Sequence, residues 1–123
     1  MKLPEEITRS NPSIDNRLPT PGVIESTDDI INLDVPFTVE LPPVDTNIYS
    51  HVILMFVNAD GSDSPQALTL LTAVAGQAST YVVDNNTLSP PFDRDQTAVV
   101  RAYLRIKEGT EWHRTPDSVI YAF

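Results

Sequence analysis

The sequence contains no cysteine. That excludes a disulfide framework and thiol catalysis, so any core rests on packing alone. Glycine is scarce, with 4 residues against 11 prolines. Many prolines among short β-branched runs fit an all-β domain with stiff connections. Cationic side chains are few, with 8 Lys and Arg against 17 Asp and Glu, giving a formal net charge of −9. Such a chain is repelled by phosphate backbones and anionic lipid, so neither nucleic-acid binding nor peripheral membrane binding is expected. No apolar run approaches the roughly 18 residues a membrane span needs. Residues 1–10 lack the apolar centre of a signal peptide, so cytosolic residence or export by a signal-less route is expected. A glycine-rich phosphate loop and a Gly-x-Ser-x-Gly elbow are also missing. No cofactor and no catalysis are expected.

What is present is strand-like. The 123 residues suffice for one domain with its own core. The longest clean alternation runs over residues 97–106. Ala98, Val100, Ala102, Leu104 and Ile106 share one face, while Thr97, Val99, Arg101, Tyr103 and Arg105 share the other. A period of two predicts a strand with one dry and one wet face. Phe37, Val39 and Leu41 alternate with Thr38 and Glu40, and Pro42-Pro43 ends that strand. Residues 52–57 are apolar on both faces, which predicts a central strand with a covered outer face or an exposed apolar patch. Further strands are expected at 67–74, 78–83, 111–115 and 118–123, with a short edge strand starting at Val23-Ile24. Asp60-Gly61, Ala75-Gly76 and Lys107-Glu108-Gly109 supply turns. Leu88 and Phe92, in the loop after residue 83, are expected to plug the core.

The prediction is therefore an antiparallel β-sandwich of about seven or eight strands over residues 28–123. It is preceded by a proline-rich leader over residues 1–27, punctuated by Pro4, Pro12, Pro19 and Pro21, that is either extended along the domain or a disordered linker.

Four features in order carry a resemblance. Leu18-Pro19-Thr20-Pro21-Gly22-Val23-Ile24-Glu25 leads to Phe37-Thr38-Val39-Glu40-Leu41-Pro42-Pro43. The strand from Val52 to Val57 runs into a polar hairpin. Ala75-Gly76-Gln77 precedes Tyr81-Val82-Val83-Asp84 and then Leu88-Ser89-Pro90-Pro91. Last comes Val100-Arg101-Ala102-Tyr103. Over residues 18–123 this order resembles the immunoglobulin-like modules found singly or in tandem in large bacterial secreted and surface proteins. The resemblance implies a spacer, adhesion or interaction module without catalysis. The chain departs from antibody-type domains in lacking their cysteine pair.

Candidate sites follow from side-chain type. Arg101, Tyr103 and Arg105 form a cation–aromatic–cation stripe, which Trp112 and Arg114 extend across the next hairpin strand. Such stripes serve recognition of a protein or glycan; the alternative is cross-strand pairing with carboxylates. Asp60, Asp63, Asp84, Asp93 and Asp95 lie in turn-rich stretches and are the candidate calcium ligands, against self-capping of the turns. His51 and His113 could share a metal with a carboxylate, against an ordinary strand role. Within the binding class the alternative is a phage or secretion-apparatus accessory domain; the reading of another class is a small acidic-loop hydrolase or carbohydrate-active protein. A hydrolase would need a concave site with two carboxylates of shifted pKa. The last strand is expected to leave an edge open either to a second copy, as an edge-strand homodimer, or to strand addition by a partner.

Overall fold

The computed structural model describes residues 5–10, 12–32, 35–58, 66–83, 97–109 and 111–122. Among these the protein is all-β apart from one short helix, α1 (Glu5–Ser10). Eight strands follow: β1 (Gly22–Val23), β2 (Phe37–Leu41), β3 (Tyr49–Asn58), β4 (Gln66–Thr72), β5 (Ser79–Val83), β6 (Thr97–Ile106), β7 (Trp112–Arg114) and β8 (Tyr121–Ala122). They form two sheets, ordered β1-β2-β5 and β4-β3-β6-β7, with β8 pairing the other end of β6. Every strand pair is antiparallel.

The inner faces of the two sheets share one core. Phe37, Val39, Leu41 and Val83 come from the first sheet; Val52, Leu54, Phe56, Val100 and Leu104 come from the second. Phe37 meets Phe56 edge to face, with ring centroids 6.0 Å apart. Ala98 and Ala102 on β6 are fully buried, as the alternation requires. β3 and β4 slip register between Leu54 and Met55, a bulge that sets Leu68 into the same core.

The outer face of β6 departs from the expectation. Val99 and Tyr103 are buried rather than wet. They join Ile53, Met55 and Val57 of β3, Trp112 of β7 and Ile7 of α1 in a second cluster. The residues that make β3 apolar on both faces thus serve two cores, one on each side of the sheet. Residues 5–10 are helical because Pro4 and Pro12 flank this window instead of interrupting it. An exposed Arg9–Glu5 pair at 2.6 Å spans its one turn.

The rest of the N-terminal segment follows the sheets. Ile14 bridges Arg114 in parallel, with Asp15 N–H donating to Arg114 C=O at 2.8 Å. Leu18 and Val23 enter the inner core. Gly22 lets Tyr121 approach: a Cβ there would lie 3.1 Å from the Tyr121 hydroxyl, which accepts Val23 N–H at 3.0 Å. Ile31 N–H donates to Ala122 C=O, and Ala122 N–H to Asp29 C=O. The β7 and β8 edge is therefore lined by residues 14–15 and 29–31 of the same chain, which satisfies backbone groups expected to face a second copy.

Candidate binding site

The wet-stripe residues come together through a local irregularity of the last edge. Between Tyr103/Arg114 and Ala98/Tyr121, five residue steps on β6 face seven on the edge. Pro116 has no N–H to donate, so the extra residues bulge out. Backbone bonds persist beside the bulge, Thr115 N–H to Ala102 C=O and Ser118 N–H to Val100 C=O, each at 3.0 Å, and side chains add to them. Thr115 Oγ1 accepts Ala102 N–H at 3.1 Å, and Ser118 Oγ accepts Val100 N–H at 2.8 Å. The bulge aims Asp117 back at the sheet. Its carboxylate takes Arg101 Nε and Nη2 at 2.7 and 3.0 Å, and Arg114 Nη2 at 3.1 and 3.0 Å.

Burial pushes the Asp117 carboxyl up, but the two guanidinium groups outweigh it and hold it below the usual carboxylate range. Burial likewise opposes the Arg101 charge, and Asp117 more than restores it, so its pKa is raised. Tyr103 and Trp112 are buried, and Arg105 is half-buried in register with His51 and Trp112. Arg101 and Arg114 thus form a cross-strand clamp on one carboxylate, with Arg114 in register with the buried Tyr103.

A concave site forms around His113, which lies between Trp112 and Arg114 on β7. A cleft of about 410 Å³ opens between the N-terminal segment, the turn before β3, and β7. Leu18, Pro19, Pro43, Val44 and Ile48 give it apolar walls. Asp15, Arg17, Tyr49 and His113 make its polar end, and Asp45 stands at the turn. A neighbouring hollow on the far side of Asp15, Arg17 and His113 is bounded by Ile14, Glu111 and Trp112.

The polar end is internally satisfied. Asp15 folds a local turn, accepting the backbone N–H of Arg17 at 3.0 Å and its guanidinium at 3.0 and 3.1 Å. Those bonds hold the Asp15 carboxyl below its ordinary range and raise Arg17. The Tyr49 hydroxyl lies 3.0 Å from His113 Nδ1, and the two rings meet edge to face at 5.6 Å. On the other side of the ring, His113 Nε2 lies 3.5 Å from Glu111 Oε1. Asp15 Oδ2 is 3.8 Å from Nδ1, an electrostatic contact rather than a hydrogen bond. Burial, followed by the Asp15 charge, pushes the Tyr49 phenol up, so it stays protonated. Asp45 accepts Asn47 N–H at 2.9 Å, capping its own turn.

Asp15, Arg17 and Tyr49 were not singled out by the sequence reading. The usable signal was the Asp-x-Arg spacing, which lets one aspartate cap a turn and hold the arginine two residues on. It fell inside a stretch read as a leader. His51 accompanies Ser50, 2.8 Å away, and sits on β3, two strands from His113. Among the described residues, no group of three His, Cys, Asp or Glu is arranged to hold a metal ion. Asp60, Asp63, Asp84, Asp93 and Asp95 lie outside the described residues, as do Leu88 and Phe92.

Compared with protein-family models, curated proteins and solved structures, the chain has no match in any of the three.

Proposed function

We propose that the protein is a non-catalytic, immunoglobulin-like binding module that takes an apolar segment of a protein partner into the cleft beside Tyr49. The immunoglobulin-like reading is supported by the strand order, β1-β2-β5 against β4-β3-β6-β7, in which strands distant in sequence pair within each sheet. The binding reading is carried by one observation: apolar walls at Leu18, Pro19, Pro43, Val44 and Ile48 converge on a polar end whose groups already satisfy one another. Pockets of that make orient a ligand through few polar contacts and hold it by burial.

Arg17 occupies both Asp15 oxygens, and Asp45 serves its turn, so neither carboxylate is poised as a base toward the cleft. A protein partner suits the site better than a glycan. Tyr49, the aromatic residue named in the cleft wall, is buried and offers no exposed ring face there on which a sugar stacks. Ile48, at the rim, remains about half exposed and offers apolar area to a partner.

The test is an amide NMR titration with blocked dipeptides that vary one apolar side chain. Shifts confined to residues 15–19, 43–49 and 113, and lost in Ile48→Glu, support the proposal. Shifts that scatter over the surface, or none at millimolar peptide, would overturn it. New peptide termini appearing on incubation would overturn its non-catalytic part.

A further inference from the structure

Residues 5–27 are joined to the rest of the protein through one tight turn. Thr27 and Ile30 pair in antiparallel fashion, with Thr27 N–H to Ile30 C=O at 3.2 Å and Ile30 N–H to Thr27 C=O at 3.0 Å. The two central residues, Asp28 and Asp29, both have positive φ, 52° and 61°. A two-residue turn with both φ positive favours Asn-Gly or Asp-Gly, because a side chain in the left-handed region is strained. Aspartate tolerates one such position better than most residues, and here it holds two in succession.

The turn also crosses between sheets. Just before it, β1 pairs with β2 of the first sheet, and the Glu25 carboxylate accepts Thr38 N–H at 2.6 Å and the Thr38 hydroxyl at 2.9 Å. Just after it, residues 29–31 line β8 of the second sheet. Upstream, the segment places Ile7 on the outer cluster, Ile14 and Asp15 along β7, and Leu18 and Val23 in the inner core. All these contacts reach residues that follow the turn in sequence. They depend on what the segment docks against, and not on which copy of the chain supplies it.

We infer that the surface holding residues 5–27 is also an interaction surface for a second copy of this chain, the two copies exchanging this segment when the Asp28–Asp29 turn opens. Exchange rebuilds α1, the Ile14–Arg114 bridge, the Val23–Tyr121 bond and the β1–β2 pairing between copies. It gives up the two hydrogen bonds of the turn, disturbs the adjoining Ala122 N–H bond to Asp29 C=O, and releases two left-handed aspartates. With contacts conserved and strain relieved, concentration decides between the closed monomer and the exchanged dimer. The net negative charge of each copy opposes association, which keeps the monomer dominant when dilute and makes the dimer favour high salt.

The wild-type chain, refolded from denaturant at millimolar and at micromolar concentration, tests this by mass and by isotope-filtered NOE between labelled and unlabelled copies. The expected result is a dimer in the millimolar sample alone, with intermolecular NOEs between Val23 and Tyr121. Asp28→Pro, whose ring forbids positive φ, is expected to shift folded material from monomer to dimer mass. Asp28→Asn combined with Asp29→Gly is expected to hold it at monomer mass in both samples. A wild type that stays monomeric at millimolar concentration would overturn the inference. So would dimers lacking the Val23–Tyr121 intermolecular NOE.

Discussion

Both faces of β6 carry buried side chains, yet they are closed in different ways. The inner face packs Val100, Ala102 and Leu104 against β2, β3 and β5, each held by its own backbone ladder. The outer face packs Val99 and Tyr103 under α1, a helix of 6 residues that contributes Ile7 to the cluster, and beside Trp112. So short a helix has little stability of its own and exists because its apolar side chain is buried. A core shared by two sheets is lost only when the sheets separate. A core closed by a strap opens when the strap lifts. The difference predicts global cooperativity on one side of the sheet and local opening on the other.

The largest blow to this contrast should come from the inner side. Leu54→Ala removes a fully buried side chain between the sheets and should cost about 2–5 kcal/mol, read as a shift in the denaturation midpoint at constant slope. Asp117→Ala comes next. It strands Arg101 and Arg114 without their common carboxylate and should cost about 2 kcal/mol by the same measurement.

The same clamp sets a pH dependence. The Asp117 pKa is depressed in the folded protein, so its contribution is fully present above the unfolded value of about 4 and is lost as pH falls through the lower folded value. Stability should decline in that acid window, and Asp117→Asn should flatten the decline. Smallest globally is Ile7→Ala, expected to cost about 1–2 kcal/mol. It should speed proteolysis within residues 5–19 more than it shifts the melting midpoint. A midpoint loss matching that of Leu54→Ala would erase the contrast.

The inner core was legible because strands announce themselves by alternation. Phe37, Val39 and Leu41, and Ala98 to Leu104, need only a period of two to be assigned a face. The outer core was half legible. Residues 52–57 implied either a cover or an exposed apolar patch, but nothing in a single isoleucine between prolines marks Ile7 as that cover. The arginine stripe illustrates a second limit. Arg101 and Arg114 were visible as neighbours across a hairpin, whereas their partner Asp117 sits on a bulge whose register depends on Pro116 and on the Thr115 and Ser118 hydroxyls. The Tyr49 cleft is assembled from three distant stretches, and only the folded chain brings Asp15, Tyr49 and His113 within reach of one another.

Native-state hydrogen exchange measures the two closures in one sample. The Asp15 amide, bonded to Arg114 C=O, reports the strap, and the β3–β6 ladder amides report the inner core. The expected result is that Asp15 exchanges through a lower-energy opening than the ladder, and that Ile7→Ala accelerates Asp15 while leaving the ladder amides nearly unchanged. Exchange of Asp15 at the ladder's rate, or an equal acceleration of both by Ile7→Ala, would contradict a separately closed outer face.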